Sequence, residues 1–198
     1  MIVAYATRGP YEVPAITLRK SLKKLKLKHQ IDILPSKATW RKNTHIRAEY
    51  LLGKLADGYP WLLSLDADAI VLSNPLPYLR KLKCDIAVHY IKKKRKKVGK
   101  KGKKKGRKEE LLPGTLWLRN TKPTIQMLEL WASIAAAKPD KPDRFCCSEA
   151  VKQCQNLKII RLPPEYTYIF DTSKRMYPTV KPIIKHMQAS RKLRKLVK

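Results

Sequence analysis

The segment Trp61-Leu62-Leu63-Ser64-Leu65-Asp66-Ala67-Asp68-Ala69-Ile70-Val71-Leu72 constrains the fold more than any other part of the chain. Its first five residues are mostly apolar and have the length of a buried strand. Two carboxylates follow, and a second apolar run closes on them. A buried charge without a partner is costly. The pair therefore belongs at a strand end, where the backbone leaves the core, and it must face a positive group. Two carboxylates two residues apart can point at one divalent ion, and hard oxygen ligands suit Mg²⁺ or Mn²⁺. A structural turn, or an ion pair with a nearby lysine, is the competing reading of the same residues.

The rest of the chain alternates strand and helix around that segment. Residues 2–7 read as a buried first strand, broken by Arg8-Gly9-Pro10. A helix is predicted over 14–25, with Ala15, Leu18, Leu22 and Leu25 on one face. Further strands are predicted over 30–34, 85–90, 116–118 and 157–162, and helices over 43–56, 122–137 and 148–156. Residues 163–185 read as irregular crossing chain. This pattern predicts one α/β domain over 1–198, with a mixed, mostly parallel sheet and helices on both faces. Ligands of such sheets sit beyond the carboxyl ends of the strands, which puts Thr7 beside Asp66 and Asp68.

The formal net charge is +30 over 198 residues, although 43% of the residues are hydrophobic and sufficient for a core. Residues 92–108 hold much of that charge, and 92–110 reads as a flexible basic loop, since Val98 is its only apolar residue and it cannot bury a face. A positive excess persists on the remainder. Such a field favours polyanions, whether nucleic acid, anionic lipid or acidic glycan; a general lysine bias is the bland alternative. No apolar run reaches the ~20 residues that span a bilayer. The N-terminal residues carry no basic stretch ahead of an apolar core, so the expected compartment is cytoplasmic, the host cytoplasm if the chain is viral. Cys84, Cys146, Cys147 and Cys154 lack zinc-ribbon spacing and are expected to be reduced.

With these residues in view, the sequence resembles the GT-A nucleotide-diphospho-sugar transferases, most closely the branch that includes glycogenin and bacterial lipopolysaccharide galactosyltransferases. Ala6-Thr7, Tyr11, Ala15 and Ser21-Leu22 resemble that branch's opening strand, loop and helix. The resemblance implies a single Rossmann-like GT-A domain and a nucleotide-sugar donor, a UDP-sugar foremost. It places Tyr5, Thr7, Arg8 and Tyr11 against the nucleoside, where Tyr11 offers a flat face for stacking. Asp66, Ala67 and Asp68 stand at the family's Asp-x-Asp motif, whose carboxylates hold Mn²⁺ or Mg²⁺. His186, three residues before Ala189 and six before Lys192, resembles a His-x-x-Gly-x-x-Lys signature. That implies His186 as third metal ligand and Lys192 at the diphosphate, within a segment 163–198 that closes over the donor. Arg47 stands where the family carries a donor-contacting base on a helix. Gly114 matches the family's Asn-Ser-Gly at the donor sugar, with Leu112 and Pro113 replacing the polar pair. Ser148-Glu149 falls where the family has Asp-Gln or Asp-Glu. Glu149 is therefore expected, with Asp68, at the reacting centre, the alternative being a helix-start capping pair.

The acceptor expected from the charge is a polyanion, namely DNA at a base already hydroxylated. Peripheral contact with an anionic membrane and its glycans competes with it. A nucleotidyltransferase and a non-catalytic nucleic-acid-binding protein on the same fold are the other classes compatible with these residues.

Overall fold

The first strand already encodes a two-faced sheet. In β1 (Ile2–Thr7), Ile2, Ala4 and Ala6 join one core, whereas Val3 joins another. The same alternation recurs in β3 (Trp61–Leu65) and β6 (Lys108–Arg119). Leu63 and Trp117 face the first core; Leu62, Leu116 and Leu118 face the second. Strands buried on both faces are the mark of a sheet covered by helices on each side. Helix α1 (Glu12–Lys24) covers one face through Ala15, Leu18 and Leu22. On the other face lie α3 (Arg47–Ala56), α5 (Lys122–Ala137) and α6 (Asp143–Gln153).

The computed structural model describes residues 1–93, 108–193 and 195–196. With β2 (His29–Leu34), β5 (Ile86–Lys93) and β7 (Ile159–Arg161), the main sheet has the order β2-β1-β3-β6-β5-β7. Only β6 runs against its neighbours, β3 and β5. The sheet is thus mixed and mostly parallel, as expected from the sequence. A second sheet, β4-β9-β8, joins β4 (Ala69–Val71) to β8 (Tyr168–Ile169) and β9 (Ile184–His186). Shorter elements complete the chain: α2 (Trp40–His45), α4 (Leu76–Leu79), a 3-10 turn (Pro164–Thr167), α7 (Thr172–Met176) and α8 (Ser190–Leu193). No helix among the described residues is long and apolar enough to cross a membrane, and all four cysteines are free.

Four expectations from the sequence need correction. The helix expected over 43–56 is two helices, α2 capped by the Thr39 side chain and α3 beginning after Ile46. The chain over 163–185 is not wholly irregular, because two of its strands complete the second sheet. Helix α6 starts at Asp143, five residues before the expected start, so Ser148-Glu149 lies within it and caps nothing. The ends of the basic segment 92–110 are strand, pairing Lys92 with Glu109 and Lys93 with Lys108; residues 94–107 of that expected loop lie outside the described residues.

Candidate active site

The carboxyl ends of β1 and β3 meet where β6 crosses in the opposite direction. Leu65 pairs with Thr115, and the Asp66 N–H donates to the Gly114 carbonyl at 2.8 Å. Asp66 is thereby held against the β6 backbone. Gly114 is required here, because a Cβ would lie 2.8 Å from Asp66 Oδ2 and 3.1 Å from His186 Cε1. The second sheet supplies the remaining ligand. Antiparallel pairing of Ala69 with His186 sets the imidazole beside Asp68, and the Met187 N–H donates to the Asp68 carbonyl at 3.2 Å. Gln188 takes φ 55°, a left-handed turn uncommon outside glycine. Beyond that turn the Ala189 N–H donates to Asp68 Oδ2 at 2.6 Å.

Ligand atoms of Asp66, Asp68 and His186 all lie within 4.8 Å of one another. Asp68 Oδ1 and His186 Nδ1 face each other at 3.9 Å, and both are buried without a hydrogen-bond partner. His186 Nε2 is engaged by the Thr115 hydroxyl at 2.8 Å, which fixes the ring and leaves Nδ1 for a ligand. Burial works against the Asp68 carboxylate, but His186, the Ala189 N–H and Arg47 outweigh it and hold the pKa below the ordinary value. Two orphaned buried atoms of opposite elements, oxygen and nitrogen, beside a second carboxylate fit a divalent cation. The mixed oxygen and imidazole set suits Mn²⁺ at least as well as Mg²⁺.

Arg47, the first residue of α3, joins this cluster to a third carboxylate. Its guanidinium bonds Asp66 Oδ1, donates to the Pro113 carbonyl at 3.1 Å and lies 3.7 Å from Asp143 Oδ2. Burial alone would lower its pKa, yet Asp66 and Asp143 together raise it. Asp143, at the start of α6, also accepts from Trp131 Nε1 at 2.9 Å. Its burial pushes the carboxyl up from 3.8 to about 6, and Arg47 offsets this only in part. One guanidinium shared between two carboxylates leaves the more distant one under-compensated.

That shift carries a sign. The native chain keeps the Asp143 proton up to about pH 6, whereas an unfolded chain releases it near 3.8. Stability is therefore lost as pH rises between these values, by at most about 3 kcal/mol, and is flat above them. Carboxylates held below their ordinary range, Asp32, Asp68 and Asp171 among them, act in the opposite direction at lower pH. Thermal melting of metal-free protein over pH 4–7 is expected to show the decline, and Asp143→Asn is expected to remove it.

Two cavities open at the cluster. The smaller, about 120 Å³, is lined by Tyr5, Thr7, Tyr11, Asn43, Ala67 and Asp68 among others. The larger, about 520 Å³, is lined by Leu112, Pro113, Gly114, Asp143, Thr167 and His186 among others. Trp40, Thr44, Arg47, Asp66 and Ser190 line both, so the chambers adjoin at the acidic cluster.

Nine of the site residues expected from the sequence therefore converge around the cavities: Tyr5, Thr7, Tyr11, Arg47, Asp66, Ala67, Asp68, Gly114 and His186. Three do not. Arg8 is exposed and lines neither cavity; only its N–H is engaged, by the Leu34 carbonyl at 2.9 Å. Lys192 is exposed on α8, where Ser190 and Arg191 line the larger chamber instead. Glu149 lines neither chamber and pairs with Lys152 at 2.6 Å. The hydroxyl of Tyr5 donates to the Asn43 and Thr44 carbonyls, so its ring, not its polar tip, is offered to the chamber. Asp143, Trp40 and Thr115 are site residues that the sequence did not reveal.

A family model described as nucleotide-diphospho-sugar transferase matches residues 16–196. The chain belongs to that family. It is a glycosyltransferase with the GT-A fold, and solved structures of such enzymes superpose on nearly all of it. A glycosyltransferase involved in the glycosylation of the major capsid of PBCV-1 aligns at a TM-score of 0.61 and 14% identity, over 94% of this chain and 92% of that one. GlyE of Streptococcus pneumoniae TIGR4 aligns at 0.58 and 14%, over 93% of this chain and 54% of its own length. The galactosyltransferase LgtC, solved with donor and acceptor sugar analogs, aligns at 0.58 and 12%, over 93% and 86%. Identities this low carry the fold alone. No curated protein matches the transferase.

Proposed function

We propose that this transferase moves a sugar from a nucleoside-diphosphate donor, a UDP-sugar foremost, onto a nucleic-acid acceptor, with Asp66, Asp68 and His186 holding Mn²⁺ or Mg²⁺. The observation that carries the donor half is the pair of orphaned atoms, Asp68 Oδ1 and His186 Nδ1, at the junction of two chambers. When bound, the cation would neutralise charge on the departing diphosphate. The smaller chamber takes the nucleoside, stacked against Tyr11 or Trp40, with Thr7 and Asn43 as polar contacts. The larger takes the sugar and the acceptor group, next to Asp143. Arg47 keeps Asp66 Oδ1 occupied, so that Oδ2 is the oxygen presented to the ion.

The acceptor half rests on charge. A net +30 is excessive for a small soluble acceptor, and the basic stretch of sequence follows the carboxyl end of β5, the same end of the sheet that carries the site. A polyanion crossing that end would be drawn by counterion release. A hydroxylated base gives such a DNA acceptor its nucleophilic oxygen. Free cysteines suit the reducing conditions of a cytoplasm.

The test is to incubate the protein with a panel of nucleotide-sugars and Mn²⁺, with and without hydroxymethylated DNA, and to follow free nucleoside diphosphate. Release from one donor, accelerated by the DNA with the sugar covalently retained on it, is the expected result. Pyrophosphate release from a nucleoside triphosphate would favour a nucleotidyltransferase instead. No turnover and no donor binding would leave a nucleic-acid-binding protein.

A further inference from the structure

Strands β8 and β9 end together at the rim of the larger chamber. Their parallel register pairs Ile169 with His186, and the Phe170 N–H donates to the His186 carbonyl at 3.1 Å. Ile169 and His186 are buried and line the chamber. The next residue of each strand faces the other way. Phe170 and Met187, which follow the paired Ile169 and His186, are accordingly 37% and 39% exposed. Arg191 reaches back over Phe170 from α8, its guanidinium carbon 5.8 Å from the ring centroid. Asp171 pins that guanidinium through both terminal nitrogens, the longer contact being 3.3 Å. Arg191 also lines the chamber, so its pair with Phe170 is continuous with the site. Lys174, Arg175 and Lys192 stand exposed on the two short helices that flank it.

We infer that Phe170, Met187 and Arg191 form a platform on which one unstacked base of a single nucleic-acid strand rests as its neighbour enters the larger chamber. The inference rests on the nucleic-acid reading of the acceptor. A guanidinium plane backed by an aromatic ring offers its outer face to a base whatever the sequence, and basic residues around it track the backbone. A base within a duplex already has both faces covered, so the platform selects single-stranded or locally opened substrate. The pinning by Arg191 argues against a membrane role: a ring that enters lipid must protrude freely, and this one is held under a fixed, ion-paired guanidinium.

Binding of a labelled single-stranded oligonucleotide, of its duplex and of phosphatidylserine vesicles separates the cases. The proteins compared are the wild type, Phe170→Ala, Phe170→Leu and Lys83→Ala, the last at the opposite end of the sheet. Phe170→Leu keeps the apolar contact and removes the ring, which distinguishes stacking from folding. The expected result is tighter binding of the single strand than of the duplex, weakened about tenfold in both Phe170 variants and unchanged in Lys83→Ala. Single-strand binding that survives loss of the ring would overturn the platform and leave the nucleic-acid acceptor standing. Absence of binding to either DNA at low salt would remove the acceptor reading itself. Vesicle binding that depends on Phe170, without DNA binding, would assign the rim to lipid and overturn the platform.

Discussion

Replacing Asp68 by Ala is expected to lower kcat/KM by about a thousandfold or more and to abolish calorimetric uptake of Mn²⁺. Asp68 is the ligand with the most elaborate support. One oxygen is fixed by the Ala189 N–H and the other is left bare, opposite the bare nitrogen of His186. A fixed backbone donor on Oδ2 makes Oδ1 the oxygen presented to the ion, so no other rotamer has to be found on binding. Charge stabilisation of a leaving diphosphate is worth several kcal/mol, and ~4 kcal/mol is about a thousandfold. Asp68→Asn separates charge from shape. Its single amide oxygen can still accept from Ala189, but an NH2 donor then replaces Oδ1 opposite His186, so metal affinity should fall while the melting temperature holds. Unchanged manganese binding in Asp68→Ala would refute the assignment of the cluster as a metal centre.

The parts of this site that were legible in the sequence are those governed by local pattern. An apolar strand ending in two carboxylates fixes where Asp66 and Asp68 must stand, and the carboxyl end of β1 places Thr7 beside them. His186 was visible only through its spacing to Lys192, and that spacing misassigned the lysine. On α8 one residue is a turn of about 100°, so the side chain presented to the chamber is Arg191 and not its neighbour. Glu149 failed for a related reason. Helix α6 begins at Asp143, and six residues of helix carry Glu149 roughly 9 Å further along the axis. Asp143 itself was hidden in Lys-Pro-Asp-Lys-Pro-Asp-Arg, a composition that reads as an exposed turn. It is buried because Trp131 and Arg47, distant in sequence, supply its partners. The break at Ile46 has no glycine or proline to announce it; tertiary packing of α2 and α3 decides it. The pairing of β4 with β9 joins residues more than a hundred positions apart, which no local period encodes.

Arg47→Ala is expected to cost about 3–5 kcal/mol of stability, the toll typical of removing one partner from a buried ion pair. Its side chain is 14% exposed and links the Asp66 and Asp143 carboxylates. Without it, Asp143 keeps only the Trp131 N–H, and its carboxyl must hold its proton to still higher pH. The fall in stability with rising pH should then extend past pH 6, a feature that a generic packing defect would not produce. Lysine should not rescue the loss. The guanidinium reaches Asp66, the Pro113 carbonyl and the Asp143 side with different nitrogens, and a single ammonium cannot span that fork. Arg47→Lys is therefore expected to recover part of the stability and little of the activity. Denaturant midpoints at pH 5 and pH 8, with donor turnover measured on the same samples, read both effects. Adding Asn at position 143 supplies the decisive comparison. With the buried charge gone, Arg47→Ala should cost less stability than it does alone, while Asp66 still loses the contact that turns its second oxygen toward the ion. Stability and activity should thus part company in the double variant, which they would not do if Arg47 merely filled space.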